Sequence, residues 1–222
     1  MSSRLDSLVR KLQKQYGALP EPPSDAFVLF VWEILSHHST SKKRDAALHG
    51  LKRYGALTPD SMWHASPAKL AASVALAGPY RDQRLLALRK GVDVFRQNSE
   101  LPSTIKGPVP AAVRALKELP KMTGDSGAYR MLLFAGDHAV LPVDARVARV
   151  ATRLAYGEKA ADFTKTARSV RQAAAAELSD SVDAYRGAYV YLDHHGAATC
   201  TESDPHCADC PLRADCRYFK SR

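Results

Sequence analysis

Four cysteines close the chain, Cys200, Cys207, Cys210 and Cys216, separated by six, two and five residues, and no other cysteine occurs in it. Thiols this close in sequence must share a small volume, so the C-terminal segment has to fold around them. Two disulfides are one use of such a cluster in a small secreted loop. The first residues show no basic stretch followed by an apolar run and a small-residue cleavage site, and no apolar run approaches the ~18 residues of a membrane span. The expectation is therefore a cytoplasmic protein without a membrane partner, in which thiols stay reduced. Reduced thiolates repel one another unless a cation neutralises them, which makes metal ligation the natural use of the quartet. Structural zinc sites often pair two short Cys-x-x-Cys hairpins, whereas only Cys207 and Cys210 form such a pair here. The wider, uneven spacing suits a 4Fe-4S cubane reached from several sides.

The remainder of the chain carries helical patterning. Phe27, Val28, Phe30, Val31, Ile34 and Leu35 recur at helical spacing, as do Ala47, Leu48, Leu51 and Tyr54, and then Leu85, Leu86, Leu88, Val92 and Phe95. The stretch from Ala173 to Leu178 favours helix, and breaks at Leu57-Thr58-Pro59, Ala77-Gly78-Pro79 and 107–110 read as connections. Ser24, Thr58-Pro59 and Ser66-Pro67 read as helix starts. No alternating strand pattern competes, so the expected fold class is all-α. A formal net charge of +9 over 222 residues attracts polyanions. The cations are scattered (Lys42, Lys43, Arg44; Arg81, Arg84, Arg89, Lys90; Arg146, Arg149, Arg153), and solvated helix faces account for about half of them by this reading.

The cysteine spacing, with His195-Gly196 shortly before the first cysteine and Cys210-Pro211-Leu212 around the third, resembles the terminal cluster loop of the endonuclease III group of DNA glycosylases. The segment Leu119 to Ala128, followed by a helix and then Pro142-Val143-Asp144-Ala145-Arg146, looks like that group's helix-hairpin-helix with its catalytic aspartate. A glycine-bearing hairpin at a helix start can present backbone N–H groups to a phosphate. Asp144 reads equally well as the N-cap of the helix that follows, and both readings can hold at once.

The resemblance covers roughly Phe27 to Cys216. It implies two helical domains with a DNA groove between them: a six-helix barrel-like domain over 27–137 with the helix-hairpin-helix at about 116–130, and an iron-sulfur domain built from 1–26 and 138–222. It further implies base flipping from duplex DNA carrying a damaged or mismatched base, hydrolysis of the N-glycosidic bond, and a prokaryotic nucleoid protein expected to be a monomer. His37, His38, Lys121, Thr123, Gly124 and Arg146 are the implied DNA contacts, and Cys200, Cys207, Cys210 and Cys216 the implied cluster ligands.

Departures from that pattern carry as much information. The lysine that forms a Schiff base in typical members is absent. Counted back from Asp144, its position holds Ser126; counted from Leu119-Pro120, it holds Asp125. Ser126 is favoured on the premise that a loop absorbs an insertion more easily than a helix. Without an amine, water must attack, with Asp144 stabilising the oxocarbenium-like sugar and Ser126 holding the water. A monofunctional glycosylase with weak or no lyase activity is expected. Glu33 lands where adenine glycosylases of the group carry a catalytic acid, and a carboxylic acid in a partly apolar pocket can protonate a purine. His37 and His38 are expected on different helix faces, so that one at most enters the duplex. The insert 201–206 carries Glu202 and Asp204 where relatives carry cations, which predicts weaker DNA binding unless Arg213, Arg217 and Lys220 compensate. A non-catalytic damage sensor of the same fold and a zinc-stapled helical scaffold are the rival classes.

Overall fold

The computed structural model describes residues 3–122 and 125–221. Among the described residues the secondary structure is helical, with no strand. The chain divides into two compact units, Met1–Glu21 with His138–Arg222, and Pro22–Asp137.

The N-terminal helix α1 (Arg4–Tyr16) starts with a capping box, in which Asp6 N donates to Ser3 Oγ at 3.1 Å and Ser3 N donates to Asp6 Oδ2 at 3.3 Å. Two orphan donors of the first turn are thereby satisfied. Leu5, Leu8, Val9 and Leu12 form its buried stripe at helical spacing.

The unit 22–137 is built from α2 (Ala26–Ser36), α3 (Ser41–Arg53), α4 (Pro59–His64), α5 (Pro67–Ala75), α6 (Arg81–Gln97), α7 (Leu101–Lys106), α8 (Val109–Leu116) and α9 (Asp125–Arg130). A π-helical turn, Met131–Ala135, follows α9 and is fully buried. Local rules explain most starts. Thr58 and Ser61 form a capping box that spans Pro59, and Ser66 stands before Pro67, though without a side-chain cap bond. The cap of α2 is Asp25 and not Ser24: Asp25 Oδ1 accepts from Val28 N at 2.8 Å.

Three aromatic rings hold α2 against α6. Phe27 meets Phe95 edge-on at 5.2 Å, and Phe30 lies 5.8 Å from the same ring. Gly91 of α6 makes this possible, because a Cβ there would stand 2.0 Å from Phe30 Cζ. Gly91→Ala is therefore expected to destabilise by about 1–3 kcal/mol through overpacking, although alanine is the better helix former. A chemical melt of the variant checks it, and a gain in stability would show that the Phe30 ring can swing aside.

In the other unit, α10 (Ala145–Arg153), α11 (Phe163–Ala175) and α12 (Val182–Ala198) lead into the cysteine segment, which contains a 3-10 turn (Arg213–Asp215) and α13 (Arg217–Lys220). Gly196 lies where α12 meets α10, and a Cβ there would stand 2.8 Å from Arg146 Cβ. The close helix contact explains the glycine of the His195-Gly196 pair. Helix α1 is fastened to this unit by polar bonds: Tyr191 Oη donates to Gly17 O at 2.7 Å, and Glu177 Oε2 accepts from Leu5 N at 2.8 Å and from Tyr156 Oη at 3.0 Å. Among the described residues no helix is long and apolar enough to cross a membrane.

Candidate active site and cysteine centre

Pro142 and Val143 are buried and deliver Asp144, half-buried, to the start of α10. Its backbone is extended, and its Oδ1 accepts from Arg146 N at 2.9 Å and Val147 N at 3.0 Å. Asp144 is thus the helix N-cap. The two bonds lock its rotamer and leave a carboxylate at the positive end of a nine-residue helix, where negative charge is stabilised. Arg146 is exposed and pairs with Asp193 at 3.3 Å.

In the unit 22–137, Ser126 lies half-buried in α9, one turn before Arg130. Counting back from Asp144 crosses the π turn at Met131–Ala135, and a π turn closes over one more residue than an α turn. Ser126 and Asp125 are the two candidates for the lysine position. Neither is an amine.

Glu33 is the one charged residue of α2, a helix otherwise apolar around most of its circumference. It is 8 % exposed and accepts from Arg130 on both oxygens, Nε to Oε1 and Nη2 to Oε2, the latter at 2.7 Å. Proton donation to a purine needs an oxygen that carries the proton and faces the base. Both oxygens here face a guanidinium, which gives Glu33 a pairing role in this structure. The partner lies 97 residues away, so no local pattern announces it.

His37 and His38 do not sit on two faces of a helix. Helix α2 ends at Ser36, His38 turns to a φ of 50°, and the two exposed rings contact each other edge-on at 4.3 Å. The His38 ring also reaches Tyr80, at 5.2 Å. Tyr80 and Lys121 are themselves at positive φ, 70° and 66°. Burial, then His38, Lys121 and Arg84, push the His37 pKa below its ordinary value. Thr123 and Gly124 lie outside the described residues.

Arg84, read from sequence as one of a scattered set of cations, is 4 % exposed. Its guanidinium donates to the carbonyls of Gly78, Pro79 and His37, clamping the α5–α6 connection to the end of α2. Arg149 and Arg153 also turn inward. Arg149 donates to Cys200 O at 2.8 Å and Gly196 O at 2.7 Å, while Arg153 donates to Thr201 O at 2.7 Å and Glu202 O at 3.1 Å and stacks over Tyr218. A carbonyl-rich loop needs donors, and these two arginines supply them.

The four cysteines are unbridged and line one cavity together with Val150, Leu154 and Leu212. Cys200 Sγ accepts from Arg153 Nη1 at 3.2 Å, and Cys210 Sγ stands 3.6 Å from His195 Nε2. Burial first, then the neighbouring thiols, push the Cys210 thiol up to about 11, against a backbone hydrogen bond from Leu212. His195 is pushed down to about 4, chiefly by burial, and is a neutral imidazole at neutral pH. Among the described residues no three His, Cys, Asp or Glu side chains converge on a single-ion position.

No family model matches the chain, and no curated protein matches it. Solved structures do. A trapped endonuclease III–DNA covalent intermediate aligns with a TM-score of 0.73 at 19 % identity, over 99 % of this chain and 97 % of that one. A thermostable thymine-DNA glycosylase aligns at 0.74 and 17 % identity, over 98 % and 95 %. The 3-methyladenine DNA glycosylase of H. pylori, bound to 1,N6-ethenoadenine, aligns at 0.67 and 15 % identity, over 87 % and 95 %. This chain has the endonuclease III-like helix-hairpin-helix fold that those proteins share.

Proposed function

We propose that the chain is a DNA repair glycosylase that takes a damaged or mismatched base from duplex DNA and hydrolyses its N-glycosidic bond with water. The observation that carries this reading is the anchored carboxylate of Asp144, held by two backbone N–H groups in a fold shared with glycosylases of several specificities. As the sugar–base bond breaks, positive charge develops on the sugar, and a carboxylate already fixed in place stabilises it without reorganising. The same carboxylate orients the attacking water. No amine stands at either candidate lysine position, Ser126 or Asp125, so no Schiff base forms there and the strand is left intact. A serine hydroxyl at that position would hold the water.

The cysteine quartet is proposed to hold a 4Fe-4S cluster as a structural staple. Zinc needs four ligands at about 2.3 Å from one point. The four thiols line a shared cavity, and their uneven spacing along the chain fits a body bound from several sides. When bound, the cluster supplies neutralising charge to the thiolates and ties 200–216 to α10 and α12.

Free-base release from a panel of duplexes carrying alkylated purines, deaminated bases, oxidised pyrimidines and mispaired thymine tests the reading. At least one duplex is expected to lose its base. Binding to the lesion with no base released from any duplex would leave the damage sensor in its place.

A further inference from the structure

A chain of polar contacts runs from α1 to the cysteine centre. Thr199 Oγ1 lies 2.8 Å from Tyr16 Oη, Tyr16 Oη lies 2.7 Å from His195 Nδ1, and His195 Nε2 lies 3.6 Å from Cys210 Sγ. His195 is 2 % exposed, so its ring is satisfied by these neighbours. Tyr16 comes from 179 residues upstream and packs its ring edge-on against His194 at 4.6 Å.

We propose that Tyr16 is a positioning residue for the cysteine centre: its hydroxyl fixes His195 in the tautomer that donates Nε2–H to the sulfur of Cys210. The direction follows from proton counting, and it rests on the metal-bound state of Cys210 proposed above. A metal-bound thiolate has no proton to give, so it accepts, and His195 Nε2 must carry the hydrogen. A neutral imidazole then has a bare Nδ1, which accepts from Tyr16 O–H, and the Tyr16 oxygen accepts in turn from Thr199 O–H. One tautomer is consistent with every link. Hydrogen bonds to ligand sulfurs withdraw electron density, stabilise the more negative reduced state and raise cluster potentials, and partners of this outer kind typically change metal affinity by about 10–100-fold. The donor to Cys200, Arg153, belongs to α10 and is independent of this chain of contacts.

Tyr16→Phe removes the hydroxyl and keeps the ring packing. In purified protein reconstituted with iron and sulfide, the variant is expected to lose its visible absorption to an iron chelator about 10–100-fold faster than wild type, with a midpoint potential shifted negative. In a His195→Leu background Tyr16→Phe is expected to change neither quantity, because the donor it orients is gone. His195→Gln, which keeps an N–H, should restore part of the retention. A brown Tyr16→Phe protein equal to wild type in retention and potential overturns the inference and leaves the cluster reading intact. An equal loss in the His195→Leu background also overturns it, by showing that Tyr16 acts through packing. A wild-type protein that binds no iron overturns the cluster reading, and the inference with it.

Discussion

Asp144→Asn is expected to lower base release by about 10²–10⁴-fold while leaving the melting transition where it is. Asparagine is as good an N-cap as aspartate, and its side-chain oxygen can accept from Arg146 N and Val147 N as the carboxylate does. What the substitution removes is the negative charge. A cap-only role for Asp144 therefore predicts no change at all, and a catalytic role predicts a large one at constant stability. Asp144→Ala separates the two contributions further, since it removes the charge and also costs about 1 kcal/mol in lost capping. Full activity in Asp144→Asn would assign the chemistry to another group. Absence of activity in both proteins would favour the sensor.

Removing Arg130 is expected to have the largest effect on stability. Arg130→Leu leaves the Glu33 carboxylate in the interior of α2 without its guanidinium, and breaking a buried pair from one side costs about 3–5 kcal/mol. The double replacement Glu33→Leu with Arg130→Leu is expected to recover most of that loss, because apolar side chains of similar volume need no charged partner. Denaturant melts of the two variants measure both statements. A mild single variant would mean that water reaches Glu33. The pair also spans α2 and α9, and Ser126 lies one turn before Arg130 on α9.

Much of the fold was legible because it follows from local patterns. The apolar spacing from Phe27 to Leu35 is α2, Thr58-Pro59 starts α4, and the all-α class needs only the periodicities and the absence of alternation. Asp144 as a cap was legible for the same reason, since its partners lie two and three residues away. The site residues that escaped the sequence depend on distant partners. Arg84, Arg149 and Arg153 look like surface cations until the carbonyls of 37, 78, 196 and 200–202 are brought to them. Glu33 finds its guanidinium partner, Arg130, 97 residues away. The π turn leaves no sequence mark of its own, although it lies on the count from Asp144 back to Ser126. Where α2 stops, at Ser36, decided how the two histidines lie, and the sequence reading had carried the helix past that point.

If water, directed by the Asp144 carboxylate, severs base from sugar without an amine, the product is an abasic site in an unbroken strand. The most direct test follows the DNA strand itself: duplex that has lost its base to the wild-type protein is divided, one half heated in alkali and the other left untreated, and both are run on a denaturing gel. Cleaved strand is expected in the alkali-treated half and intact strand in the other. Cleavage in the untreated half, with a protein–DNA adduct trapped by borohydride, would contradict attack by water and point to Lys121 as the nucleophile.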